Sequence, residues 1–404
     1  MAHTITELEG GVTAPRGFRA AGLHCGIKAN GKHDLALVVS DTAASAAAVF
    51  TTNQAQAAPV LVSKAHLAAS HGQARAVVSN SGCANACTGP QGMADAAEMA
   101  ALTATALGVA PHDVLVASTG VIGVNLKMPA LRGGIPRAVA ALSPGGGADA
   151  AVAIMTTDPF PKSAAVEVAT QAGTFRVGGM TKGSGMIEPR MATMLGYLTT
   201  DAAVDPVRLR KVLVDACRFT FNAITVDGEP STNDCVFALA NGASGVTIDD
   251  ATEAALFEGF RAVAKTLALG IVRGGEGATK LVAITASGAA SDADAWMAAR
   301  AIANSLLVKT AIHGADPNWG RLVAAAGRSG ARFVLDGARV RIGELVLFEH
   351  GRPFDDRAPQ AAAYLGGTDL DIEVDLGAGG PFTATVWTCD LSKMYVQINA
   401  EYRT

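Results

Sequence analysis

No two of the six cysteines form a Cys-x-x-Cys pair, and the eight histidines form neither a His-x3-His nor a His-Glu-x-x-His motif. These absences argue against a disulfide framework and a zinc centre, so we interpret the cysteines as buried structural thiols. Cys83 and Cys87 would share a face only within a helix, and one Cys-x3-Cys pair is weak evidence for a metal. We therefore predict no metal site.

The chain also lacks a block of basic residues and a long apolar run. Lys and Arg number 32 against 36 Asp and Glu, which gives a net charge of −4. Such a chain is not expected to bind nucleic acid or anionic membranes. No uncharged apolar run reaches the ~18 residues of a membrane span, and the first residues have the pattern of neither a signal nor a transit peptide. We predict a cytoplasmic protein.

The composition is that of a protein with a sizeable core. Half of the 404 residues are hydrophobic and 17% are charged, which argues against disorder. No internal repeat of solenoid length stands out. Strand-like and helix-like patterns are mixed without regular βαβ alternation, which favours an α+β fold over a doubly wound sheet.

The periodicity of apolar residues predicts several strands and helices. Predicted strands cover residues 35–40, 47–51, 74–79 and 113–117, and predicted helices cover residues 92–107, 205–224, 251–269 and 292–312. Asp205 is the expected N-cap of its helix, with Pro206 in the first turn. We also predict a hairpin over 334–342 that turns at Asp-Gly, and an antiparallel pair of strands at 369–375 and 382–387.

The middle of the chain carries its most informative stretch. Lys182-Gly-Ser-Gly185 can bend where other sequences cannot. Pro189 then restricts the backbone, and Ala192-Thr193 places a small residue before a hydroxyl. Composition alone favours a plain interpretation, a flexible turn followed by a buried strand, because short motifs produce many false positives.

A set of further motifs changes that balance. Their order and spacing along nearly the whole chain match one known family, and the matching segments are residues 14–18, 26–28, 49–53, 80–89, 118–123, 155–158, 182–195, 227–234, 275–280, 314–321 and 398–404. The chain resembles the ornithine acetyltransferases, also called glutamate N-acetyltransferases. It departs from the family pattern at Cys83, at Arg190 close to the expected cleavage site, and at Glu229-Pro230.

The resemblance implies that the chain cleaves itself between Ala192 and Thr193. Thr193 Oγ would attack the carbonyl of Ala192, and water would hydrolyse the resulting ester. The freed α-amine, whose ordinary pKa is about 7.7–8.0, can act as a base near neutral pH. Fragments 1–192 and 193–404 would fold together and pair as an α2β2 heterotetramer. The implied fold is a self-processing α/β sandwich of stacked mixed sheets with a smaller C-terminal portion.

The resemblance also implies roles for other residues. The Thr119 hydroxyl and the Gly120 N–H would form an oxyanion hole, although a plain strand-ending turn is the alternative. Lys182 would hold the Thr193 amine deprotonated and bind substrate carboxylate, unless it is a solvated lysine. Glu276 would bind a substrate amino group, unless it is an exposed loop glutamate. The rest of the substrate pocket would be formed by Thr157 or its neighbour Thr156, and by Asn399 and Thr404.

The family reaction is a two-step acetyl transfer. N-acetylornithine would acetylate Thr193 and leave as ornithine, and glutamate would accept the acetyl group. The sequence contains no separate coenzyme A motif, so the use of acetyl-CoA as a second donor stays open, and no resident cofactor is expected. The alternatives are a self-processing aminopeptidase or amidohydrolase, and an unprocessed binding protein. Specialised relatives share the motifs, so arginine biosynthesis is less firmly predicted than the reaction.

Overall fold

The computed structural model describes residues 3–188 and 194–401, and these form two compact units. Unit 1 contains the described residues of Met1–Asn222 and Pro230–Ile271, and the smaller unit 2 contains those of Ala223–Glu229 and Val272–Arg403. Each unit combines helices with a sheet that has both parallel and antiparallel pairs. The prediction of an α+β fold with mixed sheets and a smaller C-terminal portion is therefore confirmed.

Unit 1 is built on a nine-stranded sheet. Its strands are β1 (Thr4–Leu8), β2 (Phe18–Leu23), β3 (Leu35–Phe50), β4 (Gln73–Cys83), β5 (Val114–Val121), β6 (Lys162–Thr170), β7 (Gly173–Lys182), β8 (Leu195–Thr200) and β9 (Cys235–Ala240). The order is β1-β6-β7-β8-β9-β3-β4-β5, with β2 beside β3. Strands from both sides of the predicted cleavage site therefore belong to one sheet.

Both faces of this sheet are covered. The helices of unit 1 are α1 (Ala58–Ala69), α2 (Gly89–Leu107), α3 (Met128–Ala140), α4 (Gly147–Ala153), α5 (Pro206–Arg218) and α6 (Glu253–Arg273), of which the last two residues belong to unit 2. Successive residues of a strand point to opposite faces. Leu37 and Val39 of β3 accordingly join one apolar cluster with residues of α1, α2 and α3, and Ala36 and Val38 join another with residues of α4.

Helix α5 begins as predicted. The Asp205 carboxylate accepts hydrogen bonds from the N–H groups of Val207 and Arg208, each at 3.0 Å, and Pro206 occupies the first turn. The two strands predicted at 35–40 and 47–51 are instead one strand, β3. Its register with β4 shifts between Val39 and Ala44, so a bulge absorbs the polar residues that interrupted the sequence pattern.

Unit 2 contains a six-stranded sheet of order β13-β12-β11-β14-β10-β15. Its strands are β10 (Leu281–Ala289), β11 (Arg339–Ile342), β12 (Leu345–Glu349), β13 (Arg352–Pro353), β14 (Asp369–Asp375) and β15 (Phe382–Cys389). Its helices are α7 (Asp292–Ala303), α8 (Leu306–His313), α9 (Trp319–Gly327), α10 (Ala358–Leu365) and α11 (Lys393–Glu401). Alternate residues of β10, including Val282 and Ile284, pack in one buried cluster with Ile302 of α7.

Three local predictions for unit 2 were wrong. The predicted hairpin fails because Leu335–Gly337 forms a 3-10 turn, and the turn between β11 and β12 contains Gly343 at φ +56°. Strands β14 and β15 are not partners, because β10 lies between them, parallel to β14 and antiparallel to β15. The helix predicted at 292–312 is two helices, and Ser305 caps the second.

Within residues 3–188 and 194–401, every helix is too short or too polar to cross a membrane.

Candidate active site

Thr119 and Gly120 lie near the end of β5, where it runs parallel to β4. Gly120 pairs with Gly82, and the register shifts at the next residue, Cys83. Gly120 has φ +127°, and a Cβ there would lie 2.4 Å from the carbonyl carbon of Gly82. Only glycine fits this conformation and this approach of two backbones. The positive φ of Gly120 and its close approach to Gly82 favour the predicted role of this strand end over that of an ordinary turn.

Buried amide side chains hold this edge of the sheet. Asn233 Nδ2 donates to the carbonyl oxygens of Ala84 at 2.6 Å and Ser118 at 2.9 Å. Asn80 Nδ2 donates to the Cys83 carbonyl at 2.8 Å, and its oxygen accepts from the Ser118 hydroxyl at 2.6 Å. Each amide thus provides hydrogen-bond partners for polar groups of neighbouring segments. The result is a rigid support directly before Thr119.

Lys182 is the last residue of β7, and it reaches this support. Its Nζ donates to Thr119 Oγ1 at 3.1 Å, and the residue is only 9% exposed. The alternative of a solvated lysine is therefore wrong. Lys182 pairs across the sheet with Leu195, the first residue of β8. The strands before and after residues 189–193 are therefore neighbours in the sheet, and Lys182 lies beside Leu195.

Asp158 lies beside Lys182 and was not predicted from the sequence. Its carboxylate accepts from Lys162 Nζ at 2.6 Å, from the Gly183 N–H at 2.8 Å and from the Thr156 N–H at 3.0 Å. Burial alone would raise the pKa of Asp158, but the charges of Lys182 and Lys162 and these hydrogen bonds hold it below its ordinary value. The ionised carboxylate therefore joins the Thr156 loop to the end of β7.

The same loop contains Thr157, which is half-buried. Its first residue, Met155, accepts a hydrogen bond from Lys28 Nζ at 2.7 Å, and this ammonium also donates to the His33 carbonyl at 2.8 Å. Burial lowers the pKa of Lys28 to about 8. The loop is thus held at both ends by polar contacts, within the same unit as Lys182.

Unit 2 brings two further predicted residues together. Glu276 lies in the loop between α6 and β10 and is 6% exposed, so the alternative of an exposed loop glutamate is wrong. Asn399 of α11 donates to Glu276 Oε2 at 2.8 Å and to the Tyr395 carbonyl at 3.0 Å. The Asn399 amide holds the Glu276 carboxylate in one direction, and a carboxylate held in this way is suited to binding an ammonium group.

Not every predicted residue can be located. Ala192, Thr193 and Thr404 lie outside the described residues, and Arg190 does so as well. Within residues 3–188 and 194–401, no group of three or more His, Cys, Asp or Glu side chains is arranged to hold a metal ion. The chemistry that these residues can provide is that of hydroxyl, ammonium, carboxylate and backbone N–H groups.

The sequence was compared with protein families and with known proteins. A family model described as the ArgJ family matches residues 19–404. The chain belongs to the ArgJ family. The arginine biosynthesis bifunctional proteins ArgJ of a Synechococcus species and of Symbiobacterium thermophilum are each 52% identical to it, over 98% of this chain and 98% and 99% of theirs.

A solved chain has been described as ornithine acetyltransferase complexed with ornithine, from Mycobacterium tuberculosis. It is 45% identical and covers 47% of this chain and 100% of its own, with a TM-score of 0.43. Membership of the ArgJ family confirms the predicted resemblance and the prediction of an acyltransferase of arginine biosynthesis. The roles of individual residues stay predictions.

Two positions in this ArgJ-family chain were missed as parts of the site. Asp158 ends a segment that matches the family, so its position was visible in the sequence, but its contact with Gly183 was not. Asn233 lies in another matching segment, and its contact with Ser118 joins residues 115 positions apart. A polar residue within a segment that matches the family was the only signal in the sequence for either role.

The buried Asp158 pair predicts a pH-dependent stability. The pKa of Asp158 is lowered in the folded state from about 3.9 in the unfolded chain. Its contribution is therefore present in full above about pH 4 and is lost as the pH falls through the folded pKa. We expect Asp158→Asn to lower the free energy of unfolding at pH 7 by about 3–5 kcal/mol, because Lys162 is left buried without its partner.

Urea unfolding followed by circular dichroism at pH 7 and at pH 3 would measure this difference. Glu98→Gln is the matched control, because Glu98 also pairs with a cation, Arg132 at 2.6 Å, but on the surface. The control is expected to change the urea midpoint little at either pH. A loss in Asp158→Asn that is equally large at both pH values would contradict the proposed ionised carboxylate.

Proposed function

We propose that the chain is a glutamate N-acetyltransferase that carries the acetyl group of N2-acetylornithine to glutamate on Thr193. The observation that carries the proposal is membership of the ArgJ family over residues 19–404. It is supported by the contact of 3.1 Å between Lys182 and Thr119 and by the buried pair of Glu276 and Asn399. These are residues for which the family resemblance predicts roles in one reaction.

In the first half-reaction, Thr193 Oγ attacks the acetyl carbonyl of N2-acetylornithine and its proton passes to the α-amine of Thr193. The oxyanion is stabilised by the Thr119 hydroxyl and the Gly120 N–H. The amide C–N bond then breaks, the departing nitrogen takes the proton, and ornithine leaves. The acetyl group remains as an ester on Thr193.

In the second half-reaction, the α-amine of glutamate attacks the acetyl carbonyl and gives up a proton to the Thr193 α-amine. The bond between the acetyl carbon and Thr193 Oγ breaks, Oγ takes this proton to become a hydroxyl, and N-acetylglutamate leaves. Lys182 and Thr157 would bind the substrate carboxylate, whereas Glu276, Asn399 and Thr404 would bind and orient the amino group. The lysine charge also favours the unprotonated form of the Thr193 amine. One residue thereby supplies both the nucleophile and its base.

Two further parts of the proposal concern the mature protein. Self-cleavage between Ala192 and Thr193 would expose the amine that the mechanism needs, and the two fragments would assemble as an α2β2 heterotetramer in the cytoplasm. The relatives carry the word bifunctional in their names. That word indicates a second activity in those relatives, and for this chain we propose acetyl-CoA as a second donor.

The assay that tests the proposal measures ornithine release from N2-acetylornithine with and without glutamate. We expect sustained release of ornithine only when glutamate is present. Without glutamate we expect one small burst of ornithine, because the acetyl ester on Thr193 accumulates when no amine accepts the acetyl group. Repeating the assay with acetyl-CoA tests the second donor. Sustained release of ornithine and free acetate without an acceptor would instead support the amidohydrolase alternative.

A further inference from the structure

A three-residue segment joins strand β15 to helix α11, the helix that contacts Glu276. Strand β15 ends at Cys389 and helix α11 begins at Lys393, so Asp390–Ser392 form the whole connection, which we call the junction. Helix α11 carries Asn399, the hydrogen-bond partner of Glu276. The junction has no role in the proposed reaction, yet it contacts the loop that carries Glu276, residues 274–280, which we call the Glu276 loop.

Asp390 binds the C-terminal end of the Glu276 loop. One carboxylate oxygen accepts from the N–H groups of Thr279 at 2.7 Å and Lys280 at 3.0 Å. The other accepts from the Thr279 hydroxyl at 2.6 Å, and lies 2.7 Å from Nδ1 of His313. Four polar groups therefore converge on one side chain, and three of them belong to the loop.

Ser392 binds the middle of the same loop. Its hydroxyl donates to the Gly277 carbonyl at 2.6 Å. Gly277 has φ +70°, and a Cβ there would lie 2.6 Å from the backbone nitrogen of Tyr395. The loop therefore packs tightly against the first turn of α11. The junction thus fixes the Glu276 loop at its middle and at its end.

The Asp390 contact is buried and charged. The residue is only 2% exposed, and its side chain is fully buried beside His313. Burial alone would raise the pKa of Asp390, but the hydrogen bonds from Thr279, His313 and Lys280 hold it below its ordinary value. An ionised carboxylate that accepts several hydrogen bonds holds its partners more firmly than a neutral group does.

We propose that Asp390 is a positioning residue, which acts through the Glu276 loop to aim the Glu276 carboxylate at the amino group of an amino-acid substrate. This inference rests on the proposed function. Asp390 and Asn399 lie at opposite ends of one short segment of chain, and one of them fixes the backbone of the Glu276 loop while the other binds the Glu276 side chain. A small displacement of the Glu276 carboxylate would weaken its hydrogen bond to the substrate amino group, so the substrate would bind less tightly and KM would rise.

The experiment compares wild type, Asp390→Ala and Asp390→Asn with two acetyl donors. N2-acetylornithine carries the amino group that Glu276 would bind, whereas p-nitrophenyl acetate carries none. For Asp390→Ala we expect KM for N2-acetylornithine and for glutamate to rise by about 10²-fold, with the rate of acetylation by p-nitrophenyl acetate unchanged. Asp390→Asn keeps an acceptor for the two backbone N–H groups and is expected to recover most of the loss.

A double substitution shows whether Asp390 acts through Glu276. In a Glu276→Ala background, Asp390→Ala should cause little further change in KM, because residues that act as one unit are not additive. Asp375→Ala is the matched control. Its carboxylate accepts from the Gly377 N–H at 2.9 Å, also in unit 2, but Asp375 is the last residue of β14. In this control, KM for N2-acetylornithine and the rate of acetylation by p-nitrophenyl acetate are both expected to stay unchanged.

Several outcomes would overturn the inference. These are an unchanged KM in Asp390→Ala, an equal loss with both donors, or full additivity with Glu276→Ala. If Asp390→Ala does not fold, Thr279→Val removes only the hydroxyl contact, and an unchanged KM in that variant would overturn it as well. If the wild-type protein transfers no acetyl group from N2-acetylornithine, the proposed function itself is wrong. Failure of the proposed function is thus distinguishable from failure of the positioning role of Asp390.

Discussion

Thr193→Ala is expected to remain a single uncut chain and to transfer no acetyl group. The alanine variant has no hydroxyl to attack the Ala192 carbonyl, and its methyl group is not a nucleophile. Without cleavage the α-amine of residue 193 stays in a peptide bond and cannot serve as the base. The two losses therefore have one cause, and both should be complete.

The measurement is the intact mass of the purified protein under denaturing conditions, for wild type and variant. Wild type should give two fragments, one of which begins at Thr193, and incubation with N2-acetylornithine should add one acetyl group to that fragment. Thr193→Ser keeps a hydroxyl and is expected to cleave and to become acetylated more slowly. A stable uncut wild-type chain, or cleavage of Thr193→Ala, would contradict self-processing by this residue.

Sequence patterns predicted the local elements of this fold well where the signal was local. The N-cap at Asp205 and the apolar alternation of β3 both depend on residues close together in the chain. The predicted pairing of β14 with β15 was wrong, because the strand that lies between them, β10, comes about 80 residues earlier in the chain and no local pattern reveals it. The Asp-Gly dipeptide at 336–337 misled for a related reason, since a turn type depends on the strands that flank it.

The same distinction applies to the candidate site. Family resemblance found residues that carry hydroxyl, ammonium or carboxylate groups, including Thr119, Lys182 and Glu276. It missed Asp158 and Asp390, whose importance lies in backbone N–H groups that other segments bring to them. The Thr279 N–H that binds Asp390 comes from 111 positions away in the chain. No pattern within a short window reveals such a contact, because both partners are ordinary residue types.

Gly120→Ala is expected to lower kcat by about 10²–10³-fold, the usual effect of losing one oxyanion donor. The cause is steric. A Cβ on Gly120 would lie 2.4 Å from the backbone carbon of Gly82 and 2.6 Å from the nitrogen of Cys83, so β4 and β5 must separate. The φ of +127° adds strain that only glycine avoids. Either change moves the Gly120 N–H away from the oxyanion.

Gly123→Ala is the matched control for this substitution. Gly123 also has a positive φ, +77°, but a Cβ there would meet nothing within 4 Å among the residues that the structure describes. Its alanine variant therefore has an unfavourable φ without a clash, and its kcat should stay close to that of wild type. The comparison separates the effect of the close backbone approach at Gly120 from the effect of a positive φ alone.

The rate of acetylation by p-nitrophenyl acetate distinguishes the oxyanion hole from substrate recognition. Both acetyl donors form the same oxyanion, so Gly120→Ala should slow the two reactions alike, whereas Asp390→Ala should affect only the amino-acid substrates. Should Gly120→Ala not fold, Thr119→Val removes the hydroxyl at similar volume and also ends the contact with Lys182. Full activity in folded Gly120→Ala, or in Thr119→Val, would mean that the oxyanion is stabilised by other groups, and the strand end at Thr119–Gly120 would then be only a support for Lys182.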